Sequence, residues 1–354
     1  MAGADVVDWD LAVAVGRRFA PSGPMLGQAE TYDAVAELRM LAVAAIAPVR
    51  ECSGLIADDG SATTVIVDRP AWIASNIAGF QVVLEPLLER LRLQRGSNAA
   101  TTAVGSRATA VQLGGVLAYL SGKVLGQYEA FAVDLQSPGR LLLVAPNIVA
   151  TERALAVVPR DFRLWVCLHE ETHRVQFGAV PWLGEHLVSL IHSYLKLTGT
   201  EASEVLRRLR AALSGLTSGG RDGPPKPTLL EAAQTPEQRA LFDQLTAVMS
   251  LLEGHADYVM DEVGPLVVPT VATIRERFQQ RRTSPGLIDG IARRLLGLDA
   301  KLAQYADGAA FVRGVVKREG RDGFNQVWVG PENLPSRDEI ADPAAWCKRV
   351  LNPS

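Results

Sequence analysis

Apolar residues recur along most of this chain every three to four positions, the spacing of helices that bury one face. Residues 6–20 carry such a pattern, stopped by Pro21 and Gly23. A longer helix is expected from about Glu30 to Val49, with Val35, Leu38, Leu41, Ala42 and Ala45 on its apolar side. Asp68-Arg69-Pro70 opens another, Asp68 serving as N-cap, that should reach about Leu93. Residues 94–105 read as loop, and a further helix is expected from about Thr109 to Tyr128. Period-two patterning is scarce. Thr63–Val67 is short and β-branched, and Gly139–Asn147 is the best strand in the chain. So placed, that strand reads either as an edge on which an extended peptide pairs or as a plain buried strand. Helices then follow over 161–178, Trp182–Leu197 and about Glu201–Leu213, before a linker-like, mobile surface loop at about 214–228. Thr235-Pro236-Glu237-Gln238 is a capping box with proline at the first helical position, opening a helix to about 262. The pattern predicts a mostly α, α+β fold with a small sheet. It reads as a single domain over 1–354, with an N-terminal helical part (about 1–138) and a second part (about 139–354).

The 354 residues are 48% hydrophobic and 21% charged, ordinary values for a soluble globular protein. A net charge of -3 leaves no electrostatic footprint for nucleic acid. Cys52, Cys167 and Cys347 are scattered and odd in number, which argues for a reducing compartment over a disulfide framework. The N-terminus shows no secretory pattern, and the apolar stretch around Val111–Leu125 is too short for a membrane span and carries Lys123. A cytoplasmic protein without nucleic-acid or membrane partners is expected. The basic cluster Arg275, Arg277, Arg281, Arg282, Arg293 and Arg294 reads first as a solvated helical face, with attraction of an anionic partner as the lesser reading.

The chemistry concentrates in His169-Glu170-Glu171-Thr172-His173, inside the helix expected over 161–178. Helical geometry puts the two histidines one turn apart on one face, about 5–6 Å between Cβ atoms. Both imidazoles then reach one zinc ion at roughly 2.0–2.1 Å. Glu170 lies about 100° round the helix, beside the metal and free to act as base towards a zinc-bound water. Apolar residues on two sides make this helix central, leaving only the sector of Cys167, Glu171 and Arg174 for solvent. A third ligand is required. In the later helix Glu253 and His255 point about 160° apart, so one ion does not take both. Asp257, one turn beyond Glu253, suits an acceptor that orients a liganding histidine, and Gly254 would admit another backbone, as under the active-site helix. These favour Glu253, with His255 as the alternative, either as ligand or as donor to the transition state. Tyr258, Tyr305 and His255 are the candidates to stabilise an oxyanion, while His186 and His192 read as ordinary helix histidines.

His-Glu-Glu-Thr-His-Arg-x-x-Phe, Pro181-Trp182-Leu183 and the run Leu252 to Asp261 together resemble the zincin-like metallopeptidase family of actinobacteria and relatives. Some members of that family are labelled as associated with biosynthesis of a deazaflavin coenzyme. The resemblance extends to Asp68-Arg69-Pro70-Ala71-Trp72, Leu125-Gly126-Gln127-Tyr128, Gly297-Leu298-Asp299 with Lys301, Phe324–Trp328 and Pro331–Pro335. It implies a zincin-like fold, His169, His173 and Glu253 as zinc ligands, and Glu170 as general base. The function expected is zinc-dependent hydrolysis of a peptide or amide bond in a peptide or protein substrate. The alternative is a non-catalytic zinc-binding scaffold or regulatory protein on the same fold. The segment from Phe324 onwards could cover the site.

Overall fold

A computed structural model describes residues 6–57, 63–94, 99–129, 139–197, 235–283 and 298–352. From the N-terminus these form α1 (Trp9–Phe19), α2 (Gln28–Ser53), β1 (Thr64–Val67), α3 (Arg69–Gln94), α4 (Ala99–Ser121), β2 (Gly126–Glu129) and β3 (Arg140–Val144). They continue as α5 (Ala145–Leu155), α6 (Pro159–Ala179), α7 (Pro181–Leu197), α8 (Pro236–Val267), α9 (Val271–Thr283) and α10 (Leu298–Phe324). Two 3-10 turns and the short helices α11 (Arg337–Ala341) and α12 (Pro343–Val350) close the chain. The fold is mostly helical with one three-stranded sheet. The helix expected over 201–213, the loop at 214–228, and Arg293 and Arg294 lie outside the described residues, as do the side chains of Arg282 and Tyr305.

β3 is the centre of the sheet, with β1 parallel on one side and β2 antiparallel on the other. Its side chains alternate between two cores. Leu143 joins the larger one, built mainly from α2, α6, α8 and α10, while Leu142 and Val144 join a smaller one with α1, α3 and α4. A strand buried on both faces reads as an unbroken apolar run, which is why Arg140–Val144 was visible in the sequence. Of the two readings of this strand the buried one holds, and among the described residues the edge of the sheet beside α6 is β2. The strand is also shorter than expected, because Pro146 opens α5 immediately after Val144.

Two further boundaries differ from the sequence reading. Residues 99–105, expected as loop, are instead the first turns of α4. The same helix stops at Ser121, so Gly126–Glu129 is a strand and not its last turn. A buried polar hub holds that turn in place. Asn147 donates to the carbonyls of Ser121 and Val124, each at 2.6 Å, and accepts from Arg69 Nε at 2.6 Å. Arg69 also donates to the carbonyls of Pro21 and Ser22. Buried polar groups hydrogen-bonded this completely position a backbone at little net cost. The stretch Arg69–Arg90, which α3 contains, is long and apolar enough by length and composition to cross a membrane, with mean hydropathy 1.3. In this fold it carries the Arg69 hub at one end.

α8 begins at its capping box as expected: Thr235 Oγ1 accepts from Gln238 N at 3.0 Å, and Gln238 Oε1 from Thr235 N at 2.7 Å. It crosses α10 at Gly254 and Gly308. A Cβ on Gly254 would meet the backbone of Gly308, and one on Gly308 would meet the carbonyl of Ser250. Gly254 therefore does admit another backbone, but that backbone is α10 and not the His169 helix. This crossing sets how deep α8 sits, and with it Glu253. Gly308→Ala is expected to destabilise the fold by about 1–3 kcal/mol or more through overpacking, read as a lowered midpoint of urea unfolding.

Candidate metal centre

α6 starts at Pro159 and runs under the sheet with Phe162, Val166 and Leu168 fully buried. Its one-turn spacing brings His169 Nε2 and His173 Nε2 to 3.2 Å. From α8, Glu253 reaches both, with carboxylate oxygens 3.7 Å from His169 Nε2 and 3.9 Å from His173 Nε2. One ligand atom from each residue lies within 4.8 Å of the others. Two nitrogens bound to one tetrahedral zinc at roughly 2.0–2.1 Å stand about 3.3–3.4 Å apart, so the histidine pair has the spacing of a chelate.

The protons decide whether the group fits a cation. Gln176 Nε2 donates to the Leu252 carbonyl at 2.9 Å, so its Oε1 must accept from His173 Nδ1, also at 2.9 Å. The proton of His173 is therefore on Nδ1, and Nε2 presents a bare lone pair. His169 Nδ1 sits 3.2 Å from Met260 Sδ, a weak acceptor, which favours the same tautomer. Two imidazole nitrogens and a carboxylate then converge on one point, a ligand set that suits a divalent cation. These residues fit a zinc ion.

His255 lies on the far side of α8 from Glu253, only 1% exposed. Its Nδ1 is 3.0 Å from Gln176 Nε2, and its ring rests on Phe324 and Trp328. Burial, and then the neighbouring His173, push its pKa down to about 3, so it stays neutral and accepts from the amide. Gln176 thereby ties both ligand-bearing helices together. The sequence reading missed Gln176, although its place three residues after His173 was a usable signal. His255 is not brought into the group of His169, His173 and Glu253, and it lines neither cavity. The segment from Phe324 onwards packs behind the site and does not cover it.

Asp257, expected to orient a histidine, lines the cavity in front of the group. Tyr258 is not brought to the site. Five residues beyond Glu253 it has turned about 140° round the helix, and it sits near Cys52, Glu262 and Arg321, with burial raising its pKa. Tyr128 is the tyrosine that lines the cleft, stacked on Phe177 at 5.5 Å. His186 stands edge-on to Trp182, and His192 Nε2 donates to the Val83 carbonyl at 2.8 Å. The sector expected to be solvated is buried: Glu171 and Arg174, 2% and 6% exposed, form a two-point ion pair, and Cys167 is fully enclosed. A wheel drawn from charge alone mistakes a paired interior salt bridge for a wet face.

Glu170 is 5% exposed. Burial first, and then the Glu253 carboxylate, raise its pKa well above the ordinary range. β2 passes so close that a Cβ on Gly126 would lie 2.5–2.7 Å from the Glu170 carboxyl atoms. Two cavities, of about 740 and 600 Å³, meet at this point, and His169, Glu170, Glu253 and Gly126 line both. The side chains of His169 and Glu253 are 26% and 25% exposed, so the group is reachable. A carboxyl poised to exchange protons, beside a metal-binding group at the meeting of two cavities, is arranged for hydrolytic chemistry.

Comparison with known proteins agrees with that geometry. A sequence profile described as zincin-like metallopeptidase matches residues 7–347. A solved structure from Chloroflexus aurantiacus, provisionally described as a hydrolase with a novel fold, is 30% identical. The match covers 98% of this chain and 100% of that one, with a TM-score of 0.71. No curated protein matches the sequence.

Replacing Gln176 by Leu is expected to weaken zinc affinity by about 10–100-fold, through loss of the tautomer lock on His173. Competition with a chromogenic chelator measures it, with His169→Ala and Glu253→Ala as the variants that lose binding outright.

Proposed function

This chain belongs to the zincin-like metallopeptidase family, and on that premise we propose that it is a zinc-dependent hydrolase of peptide or related amide bonds. The observation that carries the proposal is the buried Glu170 carboxyl set beside the converging side chains of His169, His173 and Glu253 where the two cavities meet. These three residues would hold the zinc, which when bound supplies Lewis acidity to the scissile carbonyl and to water. The carboxyl of Glu170 would take a proton from the attacking water and later deliver it to the leaving nitrogen. Gln176 would hold His173 in the liganding tautomer, and Gly126 would leave room for the carboxyl to move. The outer edge of β2, beside Glu170, offers backbone groups that pair with an extended substrate.

Glu170→Gln keeps the size of the side chain and removes its base. It is expected to retain about one zinc per chain, read by elemental analysis, and to lose hydrolysis by about 100-fold or more, the usual scale of general acid-base catalysis. A variant that cleaved any substrate at the wild-type rate would overturn the mechanism.

A further inference from the structure

Two arginines in the 740 Å³ cavity have no part in the hydrolysis described above. Arg275 from α9 and Arg313 from α10 both line it, and both are paired to the Asp261 carboxylate of α8, one on each of its oxygens. A guanidinium carries five N–H donors. Arg313 uses Nη1 on Asp261 at 2.7 Å and Arg275 uses Nη2, and among the described residues neither has another protein partner. Asp261 can neutralise only one of the two cations. Their side chains are 31% and 49% exposed, so a ligand can reach them. Leu125, Trp165, Val166, Met260 and Phe278 make much of the remaining wall apolar, and no other lysine or arginine is among the described residues that line it.

α8 gives the distance from this pair to the metal centre. Glu253, Asp257 and Asp261 follow at one-turn spacing along one face of the helix, and all three line the cavity. At about 1.5 Å per residue, Asp261 lies about 12 Å along the helix from Glu253. An extended chain covers that span in roughly three to four residues. Asp257 places a negative charge between the two points, so an anion fits at the arginine end of the cavity and not midway.

Resting on the hydrolase reading above, we infer that Arg275 and Arg313 form a subsite for a carboxylate of the substrate. The group they take lies roughly three residues from the bond that is cut, on the side that occupies the 740 Å³ cavity. A free carboxy-terminus and an acidic side chain both present such a group, a planar anion suited to paired N–H donors. It would use the donors that Asp261 leaves open, so the tie between α8, α9 and α10 stays intact.

Two libraries of short random peptides test this, one ending in free carboxylates and the other in carboxamides. Cleavage by the zinc-loaded protein and retention on immobilised, zinc-loaded Glu170→Gln are both read by mass spectrometry. If the carboxylate is the chain end, free acids are expected to be cut and retained at least about tenfold better than carboxamides, releasing a fragment of roughly three residues. If it is a side chain, Asp or Glu is enriched to the same degree over Asn or Gln at one position in both libraries. Arg313→Gln, checked for zinc content and circular dichroism, should bring the ratio close to one. If it fails to fold, Arg275→Gln makes the same test. Arginines that only brace the helices would alter stability and leave the ratio as it was. Cleavage indifferent to carboxylates, or a preference that survives both substitutions, would overturn the subsite and leave the hydrolase reading standing. Selective retention without any cleavage would sink the hydrolase reading and keep the subsite. Peptides neither cut nor retained would remove both.

Discussion

The structure depends on bringing two imidazoles and a carboxylate face to face from helices far apart in the chain. His169 Nε2 and His173 Nε2 stand 3.2 Å apart with the Glu253 carboxylate beyond. Their ring orientations are held from behind. Gln176 claims the Nδ1 proton of His173 and is itself pinned by the Leu252 carbonyl on the opposing helix. Met260 stands at the other ring. Ligand-orienting partners of this kind are what give a metal site its affinity.

Much of the surrounding architecture serves that convergence. α8 can present Glu253 only because Gly254 and Gly308 let it sink against α10. On its other side α6 carries the buried Glu171–Arg174 pair, whose desolvation is offset by two charge-assisted hydrogen bonds. The Arg69–Asn147 hub fixes the turn before β2, and so brings Gly126 against Glu170. The neutral, buried His255 completes the support behind the site with Phe324 and Trp328. The front is left to two cavities, and the base lies where they join.

The candidate site was legible to an uneven degree. His169, Glu170 and His173 are local: five consecutive positions and a 3.6-residue period place them together without knowledge of any other element. Glu253 was a choice between two residues on one helix, and only the packing of α8 on α6 made it. Tyr258 and the solvated sector were misjudged for one reason. A helical wheel ranks faces by residue type, but neighbours decide which face is wet, and here Glu171 and Arg174 neutralise each other indoors. Gln176 stands one turn from His173, but the groups that give it its role, the Leu252 carbonyl and His255, come from a distant helix.

For the fold, local signals with a stereochemical origin were decisive on their own. The Thr235–Gln238 capping box and the apolar run of β3 each restrict φ, ψ or burial within a few residues. They determined that the chain is mostly helical, where α8 begins and which short segment is the best strand. Strand order, the edge position of β2, the Gly254–Gly308 crossing and the two cavities depend on residues tens to hundreds of positions apart. Such contacts come from the joint packing of many side chains. Tertiary structure alone therefore decided which strand faces the metal centre and what surrounds it.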